Sequence, residues 1–393
     1  MSKDAIYLHS VGVVCPLGSG VEAVSEALFS DMPPGGYFRN SEKYSPGRSL
    51  PLGLVRDPLA AVEIAHEATR NNSLLTTAVQ PLLKQIEDYK TRYGAHRVAA
   101  IIGTSTSGIS DGEIAIQHFV KEGTLPKDYL YSMQEVSSPA RYLANYLGVS
   151  GPSWAVSSAC TSGGKALVSA ARLLRLGVCD MVVAGGVDTL CEMTVAGFSA
   201  LGVTASSPCK PFSKHRQGIN IGEAAAVFIM SREAGAIRLQ GSGETSDAYH
   251  ISAPHPEGTG AEAAMRAALN AGGLAVEQVD YLNFHGTATA QNDKMEAFAV
   301  HRVFGEHIAC GSTKSLTGHT LGAAGALEAV FCWMCLQRDD GRLPTHAWDG
   351  HVDPELPSLP GLASVTLQQR AKVAMSNSFA FGGNNLSLLL ARD

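Results

Sequence analysis

The stretch from Trp154 to Gly177 reads as a strand, a tight turn and a helix in immediate succession, and only a few fold classes are built from that order. Trp154-Ala155-Val156 has the character of the end of a short buried strand. Leu167, Ala170, Ala171 and Leu174 recur at i, i+3, i+4 and i+7, the apolar stripe of a helix running to about Gly177. Between them, Ser157-Ser158-Ala159-Cys160-Thr161-Ser162-Gly163-Gly164 turns the chain and leaves a cysteine at or next to the helix N-terminus. Unpaired backbone N–H groups and the helix dipole favour an anion there, so the thiol is expected to have a lowered pKa. The small residues Ala159, Ser162, Gly163 and Gly164 are expected to give a substrate access to the sulfur. A buried, inert thiol fits the same residues. A base elsewhere in the chain has to decide between the two.

The alternation continues on both sides. Ile6–Val14 reads as a first strand, ended by Cys15-Pro16-Leu17-Gly18, and residues 31–59, with five of the chain's 18 prolines, as an irregular surface segment. Leu74–Tyr89 has a helical period, and Val98–Ile102 is a buried strand closing on the small-residue turn Gly103–Gly108. Met181–Ala184, bounded by Gly185-Gly186, reads as a central strand, expected to pack near a subunit contact; Ala224–Met230 is another. Val279–Phe284 and Ile308–Gly311 are strands of the second half, and Leu321–Leu336 is a helix. Ala5, Ile6, Leu8 and Gly12 recur as Ala236, Ile237, Leu239 and Gly243, each 231 residues on. We therefore divide the chain into two similar α/β halves, 1–233 and 234–393, the first lengthened before its cysteine.

Composition narrows the class. Only 17% of residues are charged and the net charge is −6, so no general attraction to nucleic acid or membrane is expected. Eight cysteines scattered through apolar segments suit reduced, intracellular thiols. Met1-Ser2-Lys3-Asp4 carries no signal-peptide pattern, and no apolar run approaches the ~18 residues of a membrane span. The expectation is a cytoplasmic, soluble protein.

Two histidines share the placement of Cys160. His285 follows the strand Tyr281-Leu282-Asn283-Phe284, and His319 lies between the strand ending at Gly311 and the next helix. Ligands of open α/β folds bind at such carboxyl ends of strands. Each histidine alone has a ready structural explanation; with a thiol they suggest nucleophilic catalysis supported by imidazoles. His301, His346 and His351 lack this placement. Gly241-Ser242-Gly243 lacks the third glycine of a dinucleotide fingerprint, and Gly164-Lys165 is followed by Ala166 where a P-loop needs Ser or Thr. Cys332-Trp333-Met334-Cys335 has zinc-like spacing but sits in an apolar helix without a second pair, and reads as core. Lys210, Lys214 and Arg216 cluster in one loop, which a solvated turn also explains.

At these residues the chain resembles the β-ketoacyl–acyl carrier protein synthases of the thiolase superfamily, the elongating type with a Cys-His-His triad. The resemblance rests on Ser158–Gly163 around Cys160, on Asn283-Phe284-His285-Gly286-Thr287-Ala288-Thr289, and on Ser312–His319 followed by Gly322–Ala326. Ser246–His250 and the Gly-rich Asn377–Asn385 also agree. The motifs run in order from about residue 100 to the end, whereas residues 20–95 are only loosely similar.

The resemblance implies a thiolase-like α/β fold with two halves in five αβαβα layers, usually dimeric. It implies that Cys160 attacks an acyl thioester, with the N–H groups of Cys160 and Phe381 as oxyanion hole. It further implies that malonyl–carrier protein then loses CO₂ while His285 and His319 hold the enolate oxygen, and that the product is 3-oxoacyl–carrier protein. Lys314 near Glu328 would tune the histidines or form a structural ion pair, with Asp293 in support. Thr287 and Thr289 would bind the pantetheine arm, Phe381 would gate the acyl pocket and Thr106 would line its far end. Lys210 and Arg70 are the candidate docking residues for an acidic carrier protein. No metal or organic cofactor is implied.

Three departures bear on the pathway. Ala380 stands where the family has glycine before its gating phenylalanine, Asn384 replaces a threonine, and Ala224 follows Gly222-Glu223 where glycine is usual. A Cβ at position 380 would cost ~1 kcal/mol if the backbone needed a positive φ, which would stiffen the gate; with ordinary φ the substitution changes nothing. A ketosynthase of a polyene or polyketide pathway, working with a chain-length-factor partner, is the alternative to fatty-acid elongation. A non-condensing partner subunit is disfavoured because Cys160 and both histidines are present. A thiolase is disfavoured because no cysteine follows Cys335.

Overall fold

The computed structural model describes residues 5–30 and 36–393. Strands β1 (Tyr7–Cys15), β2 (Val98–Gly103), β3 (Ser153–Val156), β4 (Met181–Asp188) and β5 (Ala224–Ser231) lie in the order β3-β2-β4-β5-β1. The second half repeats the plan. Strands β6 (Ile237–Ser246), β7 (Tyr281–Asn283), β8 (Ala309–Gly311), β9 (Val373–Ala380) and β10 (Asn384–Arg392) run β8-β7-β9-β10-β6. In each half the three far strands are mutually parallel and the last two pairings are antiparallel. Among the described residues, the strands of the two halves meet at one antiparallel pair, Tyr7 opposite Arg238. These residues are 231 apart, the offset of the sequence echo, so each is paired with its own repeat image, as a local two-fold axis requires.

The major helices are α1 (Arg70–Val79), α2 (Ile109–Glu122), α3 (Ser138–Leu147), α4 (Ser162–Arg175), α5 (Thr259–Gly272), α6 (Ala290–Phe304) and α7 (Ala324–Gln337). Side-chain alternation along the strands sorts them into layers. On β4, Met181 and Val183 pack outward with α1 and α3, while Val182 and Ala184 face the middle. The middle layer is α4 and α7, which also take Leu386, Leu388 and Leu390 of β10. Leu389 and Ala391 of the same strand turn away, towards α5 and α6. Five layers result, αβαβα. Helix α7 is apolar all round, and every residue from Ala324 to Leu336 is buried. Cys332 and Cys335 are core residues of that helix. At the α4–α7 crossing, a Cβ on Gly163 would stand 2.8 Å from the Ala326 Cβ, so this glycine serves helix packing and gives no passage to substrate.

The structure corrects four expectations. The helical run at 74–89 is two helices, α1 and Leu83–Tyr93, because Pro81 has no N–H to continue the ladder. Strand β3 is an exposed sheet edge, with Trp154 38% accessible, since β2 pairs it on one side only among the described residues. Met181–Ala184 is fully buried between β2 and β5, so it cannot form a subunit contact. Within 31–59, residues 31–35 lie outside the described part, but Leu50–Leu52 is a buried strand paired with Arg39–Ser41. Gly53 then bridges Gly222 and ties this segment to the interior.

Candidate active site

The repeat explains how distant residues converge. Cys160 lies between β3 and α4, and His319 lies between β8 and α7, the same place in the other half. The local two-fold relation brings them face to face, with His319 Nε2 3.0 Å from Cys160 Sγ. His285 follows β7, and its ring stands edge-on to His319 with centroids 5.2 Å apart. The backbone N–H groups of Phe381 and Cys160 lie beside the sulfur and favour its thiolate form. All three side chains open onto a cavity of about 450 Å³ whose wall includes Phe198, Thr287, Thr289, Phe379, Ala380 and Phe381. The turns that carry them are strained: Ala159, Ala288 and Leu321 have φ of 50°, 64° and 51°, each costing ~1 kcal/mol without glycine.

Burial decides the protonation states. Cys160 precedes the first helical residue of α4 by two positions and is 7% accessible. Burial pushes its thiol up to about 12, against the pull of Lys314. The lowered pKa expected from a helix N-terminus is thus overturned. Burial, then Lys314, holds His285 and His319 well below the usual imidazole range. The resting site is a neutral thiol beside neutral imidazoles, in which His319 can accept the thiol proton as sulfur attacks.

Lys314 is buried, ion-paired with Glu328, donates to the His285 carbonyl at 2.5 Å, and lies 3.4 Å from His285 Nδ1. An ammonium facing Nδ1 leaves the ring proton on Nε2, the nitrogen free to act as donor in the cavity. Among the described residues His319 Nδ1 has no partner, so neither tautomer of that ring is locked. Burial raises Glu328 to about 7 against the opposing effect of Lys314. The sulfur and the two imidazoles also lie within 4.8 Å of one another, close enough for a soft metal ion.

Asp293 accepts the N–H groups of Phe212 and Ala288 and so braces the His285 turn. Thr287 and Thr289 share a hydroxyl hydrogen bond of 2.9 Å in the cavity wall. Phe381 packs on Phe198 with centroids 5.6 Å apart. Four other residues are placed differently from what the sequence suggested. Ala380 has φ −108°, ordinary extended backbone, and the positive φ values fall on Gly382 and Gly383, so its Cβ brings no strain. Thr106 is fully buried and does not line the cavity, because its hydroxyl and N–H bond Asp188. Arg70 turns inward to Glu223 at 2.9 Å, and Lys210 pairs with Asp349 at 3.2 Å, so neither offers a free charge to a carrier protein.

Sequence reading missed three supports. Glu296 accepts the N–H groups of His285 and Gly286, both at 2.7 Å, and its spacing of three from Asp293 puts both acids on one face of α6. Asp188 ends β4 and accepts from Thr104, Ser105, Thr106 and Gly322. His346 is buried and accepts the Ser312 N–H, while the Ser312 hydroxyl bonds the Gly286 carbonyl.

Family comparison agrees with this geometry. Residues 63–236 match the model described as beta-ketoacyl synthase, N-terminal domain, and residues 237–346 match the C-terminal domain. The chain belongs to the β-ketoacyl synthase family. It is 35% identical to nodulation protein E of Rhizobium meliloti (strain 1021) over 350 residues, 86% of this chain and 82% of the relative. It is 33% identical to a 3-oxoacyl-[acyl-carrier-protein] synthase 2 of Staphylococcus aureus (strain COL) over 317 residues, 76% of each. Among solved structures, it superposes with a TM-score of 0.94 and 41% identity on a chain of the ketosynthase (ApeO) in complex with its chain length factor (ApeC) from Xenorhabdus doucetiae. That match covers 99% of this chain and 98% of the other. The β-ketoacyl synthase fold is the thiolase-like arrangement expected from the sequence. No helix of the described residues is long and apolar enough to cross a membrane.

Proposed function

We propose that this β-ketoacyl synthase condenses malonyl–carrier protein with an acyl group held on Cys160. The observation that carries the reading is the 3.0 Å approach of His319 Nε2 to Cys160 Sγ, with the His285 ring beside it. In the first half-reaction the sulfur attacks the acyl thioester. The thiol proton passes to His319 and on to the departing carrier thiolate, and the N–H groups of Cys160 and Phe381 hold the tetrahedral oxyanion. The pantetheine arm runs past Thr287 and Thr289.

In the second half-reaction malonyl–carrier protein loses CO₂. The electron pair of the broken C–C bond forms an enolate whose oxygen accepts from Nε2–H of His285 and, once the unlocked His319 ring has moved its proton from Nδ1 to Nε2, from that ring too, stabilising charge absent from the ground state. The enolate carbon attacks the acyl-Cys160 carbonyl, a C–C bond replaces the C–S bond, and the released Cys160 thiolate takes up one proton from solvent, the proton that decarboxylation consumes overall. Lys314 acts through His285 by keeping its proton on Nε2. With Lys210 and Arg70 occupied, exposed Lys214 near the cavity mouth is the better docking cation.

The subunit partner is read from the exposed edge of β3 and from α2, which exposes Ile114, Ile116, Phe119 and Val120. An open edge strand and bare apolar side chains call for a covering chain. The likeness to a ketosynthase–chain length factor complex favours a related partner subunit and a specialised polyene or polyketide pathway over fatty-acid elongation. Eight unpaired cysteines support a cytoplasmic setting. The test is mass analysis of carrier protein after incubation with the chain, acyl–carrier protein and malonyl–carrier protein, with and without candidate partners. A 3-oxoacyl species two carbons longer than the donor supports the reading. Malonyl–carrier protein left intact under all conditions contradicts it.

A further inference from the structure

A second group of metal-ligating side chains lies outside the Cys160 cavity, in residues that none of the family motifs includes. His215, Asp349 and His351 place one donor atom each within 4.8 Å of the others. His215 Nδ1 is 3.2 Å from Asp349 Oδ2, His351 Nδ1 is 3.6 Å from Asp349 Oδ1, and the two rings have centroids 4.5 Å apart. Ligands at ~2.0–2.1 Å from a tetrahedral Zn²⁺ stand about 3.3 Å from one another; the 3.2 Å from His215 to Asp349 Oδ2 is close to that edge, and the 3.6 Å from His351 to the other oxygen lies slightly beyond it.

We propose that His215, Asp349 and His351 bind a divalent transition-metal ion of the Zn²⁺ class, with a fourth position open to water. Two imidazoles and a carboxylate are a common donor set for such ions. The backbone holds them ready. The Lys214 N–H donates to the His351 carbonyl at 3.0 Å, and Ser213 and Val352 form an antiparallel bridge that fixes the two loops side by side. The Ser213 hydroxyl and the His351 N–H both donate to Asp349 Oδ1, at 2.8 and 3.2 Å, which orients the carboxylate as second-layer hydrogen bonds do around bound metals. His215 and His351 are 48% and 59% accessible, so an ion can enter from solvent.

Two consequences follow from the neighbours. The Lys210 ammonium, 3.2 Å from Asp349 Oδ2, competes with the ion for the carboxylate. Residues 213–215 continue directly into Arg216, Gln217 and Gly218, which line the catalytic cavity. An ion between His215 and His351 would therefore cross-link this wall to the loop at 349–353, where Arg216 already pairs with Asp353.

The experiment is calorimetric titration of the full chain with ZnCl₂, in a Cys160→Ala background that removes the sulfur of the buried group. One equivalent should bind, and His215→Ala or His351→Ala should each weaken binding at least tenfold while leaving the melting temperature in a chelator unchanged. Ser213→Ala should weaken it about ten- to hundredfold, the usual cost of losing a second-layer partner. Lys210→Met should tighten it. Cobalt(II) substituted into the Cys160-containing chain at one equivalent should give no sulfur-to-metal charge-transfer absorption. The proposal is overturned if no Zn²⁺ binds, if the double variant His215→Ala/His351→Ala binds as well as its parent, if Lys210→Met binds more weakly, or if cobalt reports a thiolate ligand.

Discussion

Asp188 Oδ2 accepts the backbone N–H of Gly322 at 2.6 Å, and this bond ties the thiol-bearing half to the loop of His319. The other oxygen accepts from the Thr104 hydroxyl at 2.6 Å and from the N–H and hydroxyl of Thr106 at 2.8 and 2.9 Å. Asp188→Asn turns an NH₂ towards donors on one side, and a buried donor left without its acceptor costs about 1–3 kcal/mol. Denaturant unfolding should show that loss, and His319-dependent decarboxylation should fall more than thermal stability alone explains. Unchanged stability would mean that the turn at 104–106 relaxes around the amide.

Lys314 and Glu328 separate a structural role from a tuning role. Lys314→Met leaves a buried carboxyl unpaired, and breaking such a pair typically costs about 3–5 kcal/mol. Lys314→Met/Glu328→Leu should recover most of that stability, since apolar replacement of both partners is often neutral. If Lys314 fixes the His285 tautomer, the double variant should still decarboxylate malonyl–carrier protein slowly. Parent-like decarboxylation by a stable double variant would make the pair purely structural.

Glu296 gives stability a pH dependence. Burial raises its carboxyl from the usual 4.5 to about 8 in the folded chain. Its contribution is fully present below the unfolded value and is lost as pH rises through the folded one. Asp293 and Glu328, raised to about 6 and about 7, act in the same direction. The buried neutral rings of His285 and His319 oppose this below the ordinary imidazole value of 6.5, so melting temperature should decline as pH climbs from about 6.5 to about 8, and Glu296→Gln should flatten that slope whatever its effect on absolute stability. An identical slope in the variant would remove Glu296 from the titration.

Trp154 tests the exposed sheet edge. The chain should scatter light either as about twice its 41.2 kDa mass or as a heterodimer with a partner subunit. Trp154→Asp, which charges the edge of β3, should shift either assembly towards monomer. Intact assembly would place the subunit contact elsewhere.

How much of this was legible in the sequence depended on whether a residue's neighbours were local. Cys160, His285 and His319 announced themselves because each stands where an apolar run breaks into a small-residue turn. The echo between Ala5–Gly12 and Ala236–Gly243 marked the two strands that meet at Tyr7 and Arg238. Glu296 stayed hidden because its partners are the backbone N–H groups of His285 and Gly286, which carry no sequence signature, and Asp188 because its partners in the turn at 104–106 and at Gly322 are distant in the chain. Trp154 looked buried because an apolar strand is read the same way at an edge as at a centre. The charges of Lys210 and Arg70 were visible, but Asp349 and Glu223, which neutralise them, lie 139 and 153 residues away. The Cys160 thiol was misjudged for a related reason: the helix N-terminus is a local feature, whereas the burial that dominates it is built by both halves.

The central claim is that Cys160 carries the acyl group. Intact-mass measurement after incubation with acyl–carrier protein, on the parent chain and on Cys160→Ala, tests it most directly. The parent should gain the mass of one acyl group and Cys160→Ala none, while His285→Ala still gains it but releases no CO₂ from malonyl–carrier protein. An acyl adduct that persists on Cys160→Ala would contradict the account.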